Sequence, residues 1–199
     1  MGFGYSTTVF GEAVFNTGMV GYPEALTDPS YSGQILALTY PLVGNYGVPD
    51  TSKKDKDGIS EYLESDRIQT RGLVVHELSM TASHWNISLT LDEWLYNEKI
   101  PGISGIDTRE LTKKLRINGV MMAALAVSEK EIDGNDSRLL QMERAIQSTI
   151  KTSSKSDRLF FIIYFQTPKL STKNFNQSNP INCTEVFIKK LKSPIEFTC

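Results

Sequence analysis

Cysteine and histidine are scarce in this chain. The two cysteines, Cys183 and Cys199, both lie near the carboxyl end, so the first 180 residues cannot form a disulfide of their own. This usage suits a reducing compartment, and two thiols cannot build a four-ligand structural zinc site. The only histidines are His76 and His84. Because a catalytic zinc usually has three protein ligands, packing is the expected role of both, and we expect no metal site.

Long apolar runs and strong net charge are also missing. The longest apolar run is the seven residues of Leu159 to Phe165, far short of the roughly 20 that span a bilayer. The amino terminus has no basic segment followed by a continuous apolar one, so it does not read as a signal peptide. A net charge of −2 argues against a dedicated nucleic-acid binder. We therefore expect a soluble, cytoplasmic body with neither membrane nor nucleic acid as partner.

Glycine is absent beyond Gly134, and the charge changes sign near the same place. Residues 1–150 hold 13 Lys and Arg against 20 Asp and Glu, a net −7, whereas residues 151–199 hold 8 against 3, a net +5. We interpret 151–199 as an unrelated tail, disordered or produced by translation of non-coding sequence. Its LFFIIYF segment is uncharged and β-prone, which predicts aggregation unless it packs.

The body alternates short strand and helix patterns. Two helices are marked by capping boxes, at Thr90–Glu93 and at Asp107–Glu110, where side chains satisfy free amides of the first turn. We expect Pro101 to end the first helix and Gly119 the second, with Leu111 and Leu115 one turn apart on the apolar face of the second. The other predicted elements are a strand at Val14–Phe15, a helix at Gly21–Thr27, strands at Gln34–Tyr40, Arg71–Glu77 and Met121–Val127, and a helix at about 136–150. The strand at Gln34–Tyr40 is apolar nearly throughout, which predicts burial on both faces. Strands mixed with short helices indicate an α/β architecture.

No catalytic constellation is visible in the residues. A cysteine nucleophile needs a base within reach and often a tight glycine turn, but no glycine lies near Cys183 or Cys199. The GxxG at Gly44 and Gly47 is too loose to indicate a phosphate cradle. Composition and spacing alone therefore predict an α/β domain with no catalytic residue and no cofactor.

Two long strings carry a resemblance to a known family. FGEAVFNTGMVGYPEALTDPSYSGQILALTYPLVGNYGVP (10–49) and PGISGIDTRELTKKLRINGV (101–120) resemble the N-terminal domain of the small, glutamine-dependent chain of carbamoyl-phosphate synthetase. The resemblance covers about residues 5–127. The residues are most similar to those of the eukaryotic form, in which this domain is the N-terminal part of a large fused pyrimidine-pathway protein.

The resemblance implies a swivelling β/β/α-type domain that is not itself catalytic. In the family this domain docks against the large synthetase chain and against a glutaminase domain. A Cys–His–Glu triad there releases ammonia from glutamine, and the synthetase uses the ammonia with bicarbonate and two ATP. The serine of the family's Asp-Pro-Ser-Tyr motif contacts glutamine, which maps onto Ser30 here. Ser30 could instead only cap a turn.

The departures from the family pattern lead to further expectations. We expect the domain over 1–128 with its first strand missing, a helix or linker over 129–150, and the unrelated tail over 151–199. The chain has no Gly-x-Cys-x-Gly string and no histidine after His84, so it cannot hydrolyse glutamine by the family mechanism. It is then an N-terminal docking domain for glutamine-dependent synthesis of carbamoyl phosphate, in the pyrimidine or arginine pathway. The alternative is a free-standing regulatory module that binds the synthetase chain.

Overall fold

A computed structural model describes residues 1–84, 86–128, 160–166, 187–190 and 193–196 of the 199-residue chain. The helices are α1 (Tyr22–Thr27), the 3-10 turn η1 (Pro29–Tyr31), α2 (Leu91–Asn97) and α3 (Thr108–Asn118). The strands are β1 (Gly2–Gly4), β2 (Thr8–Asn16), β3 (Ile35–Leu38), β4 (Leu42–Val43), β5 (Gly72–Val74), β6 (Glu77–Leu78), β7 (Pro101–Ile103), β8 (Met121–Ser128), β9 (Phe160–Gln166), β10 (Phe187–Lys190) and β11 (Ser193–Glu196). The α/β class predicted from the sequence is confirmed.

The described strands form one mixed seven-stranded sheet and two small ones. The order in the large sheet is β1-β7-β5-β3-β2-β8-β9. β2, β3, β5 and β7 run parallel to one another, whereas β1 and β8 pair antiparallel to their neighbours at β7 and β2. β4 and β6 form a separate two-stranded parallel sheet, and β10 pairs with β11. The carboxyl ends of β2 and β3 therefore lie side by side at one edge.

Strand β3 shows why the sheet is covered on both faces. All four of its residues are buried, as predicted for this apolar run, and they alternate between two cores. Ile35 and Ala37 join the cluster that contains Leu111 of α3. Leu36 and Leu38 face the opposite cluster, which includes residues of α1, α2, β4 and β6. The period-two geometry of a strand turns one apolar run into two packed layers.

The strand predicted at Arg71–Glu77 is two strands in different sheets. β5 ends at Val74, and the amide of Val75 still donates to Ile103 of β7 at 2.9 Å. The Glu77 amide then donates to Pro41, next to β4, also at 2.9 Å. Periodicity cannot show this change of partner, because both halves of the segment are extended. The strand predicted at Val14–Phe15 is likewise part of the nine-residue β2.

Helix α2 begins at the predicted capping box. The Thr90 side chain accepts a hydrogen bond from the Glu93 amide at 3.2 Å, and the Thr90 amide donates to the Glu93 carboxylate at 2.9 Å. The helix ends at Asn97 and not at Pro101, because Lys99 adopts a left-handed conformation with φ of 60° that stops the helix. Pro101 instead begins β7.

We expect Thr90→Ala to lower the free energy of unfolding by about 1 kcal/mol, the usual cost of losing an N-cap. The hydrogen bonds from Thr90 lower the pKa of Glu93. The stabilisation of the ionised Glu93 carboxylate by Thr90 is therefore present at pH values above the ordinary pKa of glutamate. It is lost as the pH falls through the lowered pKa of Glu93. Urea unfolding at pH 7 and at pH 3 measures both effects. Equal stability of the two proteins at pH 7 would contradict the prediction.

Helix α3 forms half of its predicted capping box. Asp107 accepts from the Glu110 amide at 2.9 Å, but the Glu110 carboxylate pairs with Lys113 at 3.3 Å rather than returning to the first turn. Leu111 and Leu115 are buried as predicted, and Gly119 ends the helix with φ of 73°. The next strand, predicted at Met121–Val127, is confirmed as β8.

Residues 160–165 of the LFFIIYF segment are extended, as its β-prone composition predicts. With Gln166 they form β9, which pairs in parallel with β8 over all seven residues from Phe160 to Gln166. The helix predicted at about 136–150 lies outside the described residues, as does most of the tail beyond residue 150.

Candidate functional site

A cleft opens beyond the carboxyl ends of β2 and β3. Its volume is about 320 Å³, including space open to solvent. In parallel arrangements this edge is where loops converge and ligands or partners usually bind. The lining residues come from the ends of β2 and β3, the loops after them, α1, β4 and the segment after β4: Asn16, Gly18, Met19, Val20, Gly21, Tyr22, Ala25, Leu38, Tyr40, Leu42, Val43, Asn45 and Tyr46.

Two stacked tyrosines build one wall of the cleft. The rings of Tyr22 and Tyr46 lie 4.3 Å apart at an angle of 27°. The Tyr46 hydroxyl accepts hydrogen bonds from the amides of Gly21 at 2.8 Å and Tyr22 at 3.1 Å. The Tyr22 hydroxyl donates to the carbonyl of Gly47 at 2.5 Å. Since Gly21 has no side chain to cap α1, Tyr46 performs this role from 25 residues away.

The tyrosine pair is structural rather than acid–base machinery. Burial raises the pKa of Tyr22 and of Tyr46, and the neighbouring tyrosine and Glu24 raise that of Tyr22 further. Both phenols therefore stay neutral at physiological pH and hold backbone groups in place. The ring of His84 lies edge-on to Tyr46, with centroids 6.4 Å apart.

Ser30 lies on η1, in the short connection between α1 and β3. The Asp28 side chain accepts from the Ser30 amide at 2.8 Å, so the turn is capped by Asp28 and not by the Ser30 hydroxyl. Ser30 is exposed, and its hydroxyl has no hydrogen-bond partner among the described residues. The side chain that the sequence singled out is thus presented to solvent on a capped turn.

A buried threonine anchors the chain just before this turn. Thr27 is fully buried, and its hydroxyl donates to the carbonyl of Pro23 at 2.9 Å while accepting from the Glu64 amide at 3.1 Å. The Ser65 hydroxyl donates to the Thr27 carbonyl at 2.6 Å. Buried, satisfied polar networks hold backbone rigidly. The turn that carries Ser30 is therefore preorganised.

Asn16 connects the Ser30 turn to the cleft. It is the last residue of β2 and lines the cleft, and its side-chain amide donates to the hydroxyl of Tyr31 at 3.2 Å. Tyr31 directly follows Ser30. The two features thus belong to one end of the sheet. Sequence reasoning missed the cleft, although the segment after β2 (residues 17–21), which contains two glycines, could have indicated a loop at a strand end.

The other residues weighed from the sequence lie elsewhere. His76 and His84 are both exposed and not packed in the core as expected, and Nδ1 of His76 forms a 3.0 Å hydrogen bond with the carbonyl oxygen of Ile106. Cys183 and Cys199 lie outside the described residues. Within the described ranges, no three His, Cys, Asp or Glu side chains gather closely enough to hold a metal ion. None of the helices in those ranges combines the length and apolar content needed to cross a bilayer.

Known proteins resemble this chain over most of its length. The relatives include the multifunctional protein CAD of Squalus acanthias, 52% identical over 69% of this chain and 6% of that protein. The carbamoyl phosphate synthase small chain of Saccharolobus solfataricus is 51% identical over 77% of this chain and 41% of its own. The arginine-specific small chain of Emericella nidulans is 45% identical over 77% of this chain and 34% of its own.

These matches bear on two expectations, the nearest relative and the extent of the resemblance. The fused eukaryotic form is not confirmed as the nearest relative, because the archaeal small chain matches about as well. The match with that chain spans 154 of 199 residues, so it must reach past residue 127, where the resemblance was expected to end. The chain spans less than half the length of each of these relatives.

A profile of the family described as "Carbamoyl-phosphate synthase small chain, CPSase domain" matches residues 1–125, which include β1 to β7, all of the described helices and the first half of β8. The chain therefore belongs to the carbamoyl-phosphate synthase small-chain family, through its CPSase domain.

Proposed function

We propose that this chain acts as the N-terminal docking domain of a glutamine-dependent carbamoyl-phosphate synthetase. The observation that carries the proposal is the family match over residues 1–125. In this role the domain, bounded at 1–128, is not catalytic by itself. It binds the large synthetase chain and a glutaminase domain in the cytoplasm, and supports the use of glutamine nitrogen for carbamoyl phosphate.

The layered fold supports assignment to the swivelling β/β/α type. The large sheet packs α3 against one face, through Leu111 and Leu115. The opposite face packs against α1, α2 and the small β4–β6 sheet, through residues such as Val43 and Leu78. A rigid body of this kind suits a domain that positions its partners. The absence of the family's first strand from this domain stays a prediction; Gly2–Gly4 form β1.

Ser30 is the residue that we propose to contact glutamine at the interface with the glutaminase domain. Three features support this role: its exposure, its unpartnered hydroxyl and the capped turn that holds it. A preorganised hydroxyl can donate to the amide carbonyl of glutamine or accept from its ammonium group without an ordering cost at binding.

Binding to the large chain tests the docking role. The full 199-residue chain is mixed with the large chain that partners the Saccharolobus solfataricus small chain, and complex formation is followed by sedimentation velocity. We expect a one-to-one complex at micromolar concentrations. Separate sedimentation of the two chains at these concentrations would contradict the docking role.

Ser30→Ala tests the contact with glutamine. The substitution is made in a chimera in which residues 1–125 replace the equivalent residues of the same archaeal small chain, assembled with its large chain. Loss of one hydrogen bond should raise KM for glutamine roughly three- to tenfold, while ammonia-dependent synthesis stays unchanged.

Ser32→Ala is the matched control, because Ser32 is also exposed and lies at the end of the same turn. It should leave KM for glutamine within twofold of the parent value. Equal effects of the two substitutions, or none from either, would count against a contact between Ser30 and glutamine.

A further inference from the structure

We propose that β9 is a built-in ligand for the outer edge of β8. It occupies this edge within its own chain and so prevents a second copy of the chain from pairing there. The inference goes beyond the proposed function and concerns a different part of the sheet, because the cleft is lined by residues between Asn16 and Tyr46, and β8 and β9 lie outside this range.

Strand β8 has the features of an edge that attracts another strand. It is eight residues long, and its sequence, MMAALAVS, contains no charged residue and no proline. Natural sheets protect their edges with short strands, charges, prolines or a covering element. At the opposite edge of the sheet, β1 has only three residues, and the Asp92 carboxylate accepts a hydrogen bond from the Gly4 amide at 2.6 Å. β8 has neither protection, so a covering element has to supply it.

Alternate amides of β8 point toward the outer edge. The Val127 amide donates to the carbonyl of Thr7 at 2.9 Å, so the backbone groups of Val127 face β2. Because the direction of these groups alternates along a strand, those of Ala124 and Ala126 face the opposite side, where β9 lies. Both alanines are buried. Their amides therefore need a partner from β9, because a buried amide without one is destabilising.

The register of β9 matches these groups. Ala124 pairs with Ile162 in the parallel register. In a parallel pair, a residue whose backbone groups face the neighbouring strand bonds to the residues on either side of its partner. The amide of Ile163 is therefore directed at β8, toward the carbonyl of Ala124, whereas the amide of Ile162 is directed away from β8. Two adjacent isoleucines thus differ in whether they donate to the edge.

The chain is long enough to bring β9 to this edge by itself. Parallel pairing requires the chain to return along β8, a distance of roughly 23 Å over the paired residues. Residues 129–159 make the return, and these 31 residues exceed the dozen or so that such a crossover needs. A tethered segment competes at an effective concentration far above that of a second copy in solution. Pairing within one chain is therefore favoured over pairing between copies.

A basic hairpin accompanies β9. Strand β10 contacts β9, pairs with β11 and includes Lys189 and Lys190. Residues 151–199 as a whole carry a net charge of +5. Lysines beside an exposed strand disfavour pairing with a further strand, because a second copy brings the same positive charges. β9 thus replaces an uncharged edge at β8 by one with positive charge nearby.

Two proline substitutions in the full 199-residue chain test the inference. Ile163→Pro removes the N–H group directed at β8, and we expect it to release β9 and to cause self-association at micromolar concentrations. Ile162→Pro is the matched control, because its N–H group points away from β8, where edge strands tolerate proline. Ile163→Ala keeps the N–H group and controls for the shorter side chain. Sedimentation velocity should show that wild type and both controls stay monomeric.

Hydrogen exchange at single amides locates the contact. In the wild-type chain, the amides of Ala124 and Ala126 should exchange at least tenfold more slowly than in dilute, monomeric Ile163→Pro. The Val127 amide, which bonds to Thr7, should stay protected in both proteins and thereby show that β2 and β8 remain paired. In associated Ile163→Pro, Ala124 and Ala126 should regain protection, because a second copy then occupies the edge.

Three results would overturn the inference. The first is equal association states of the two proline variants, including a monomeric Ile163→Pro. The second is fast exchange of Ala124 and Ala126 in the wild-type chain, which would mean that β9 does not cover β8. The third is association of Ile163→Pro with these two amides unprotected, which would assign the contact to the released β9 segment rather than to the edge of β8.

Discussion

Replacing Gly11 by alanine should lower the free energy of unfolding by about 2 kcal/mol or more, the range found when a packed interior is overfilled. Gly11 lies in β2, and a Cβ atom there would stand 2.6 Å from the carbonyl oxygen of Gly33. The neighbour is backbone, so it cannot move aside as the end of a flexible side chain could. Because Ala13 pairs with Ile35, Gly11 faces Gly33 just before the parallel pairing of β2 and β3 begins.

The same substitution should disturb the turn that carries Ser30. Gly33 follows η1, and its amide donates to the carbonyl of Gln69 at 3.3 Å. Displacing the Gly33 carbonyl must therefore shift the end of this turn. Urea unfolding measures the loss of stability, and the amide resonances of Ser30 and Gly33 report the displacement.

Gly72→Ala is the control for Gly11→Ala. Gly72 is also a strand glycine of the same sheet, but its nearest neighbour is Cδ1 of Leu125, at 3.2 Å from an added Cβ. A leucine methyl group can yield by a few tenths of an ångström, so the effect should be much smaller. Equal unfolding free energies for Gly11→Ala and Gly72→Ala would contradict the assignment of the effect to the Gly33 carbonyl.

Tyr46→Phe should lower the free energy of unfolding by about 1–3 kcal/mol, the cost of leaving partly buried amides without a partner. Its hydroxyl accepts from two amides at the start of α1, those of Gly21 and Tyr22. Phenylalanine keeps the ring stack with Tyr22 but offers no acceptor. The control is Tyr62→Phe, because the Tyr62 hydroxyl accepts from Lys53 at an exposed position.

Alkaline pH provides a second measurement on Tyr46. Burial raises the pKa of the Tyr46 phenol above the ordinary value for tyrosine. A group with a raised pKa contributes stability that is complete below the pKa of the unfolded chain and is lost as the pH rises beyond it. The difference in stability between wild type and Tyr46→Phe should therefore narrow above pH 10. A constant difference from pH 7 to pH 11 would contradict this account.

Elements with local causes were predictable from the sequence. The capping box at Thr90, the glycine stop at Gly119 and the buried strand at Ile35–Leu38 are confirmed because each depends on neighbours within a few residues. Only one of the two hydrogen bonds predicted for the second capping box forms, because the Glu110 carboxylate pairs with Lys113 instead of an amide of the first turn. A competing side chain one helical turn away is therefore enough to prevent a capping interaction that the sequence predicts.

The sequence identified one residue of the candidate site, Ser30, but it did not predict the cleft beside it. Ser30 was identified through a family motif, and whether it contacts glutamine remains a prediction. The cleft gave no local signal, because its walls come from segments that are separated along the chain, such as Tyr22 and Tyr46. Only the parallel pairing of β2 with β3 brings these loops to one edge.

The sequence by itself determined the α/β class, the helix starts, the apolar strands and membership in the small-chain family. All of these depend on short-range patterns or on ordered strings of residues, which can be recognised in the sequence without knowledge of the tertiary structure. The tertiary structure decided that one extended segment divides between two sheets, that a distant tyrosine caps α1 and that an uncharged cleft adjoins Ser30. Each of these depends on which groups from distant parts of the chain pair in the folded protein. The spacing of residues in the sequence does not specify those pairings.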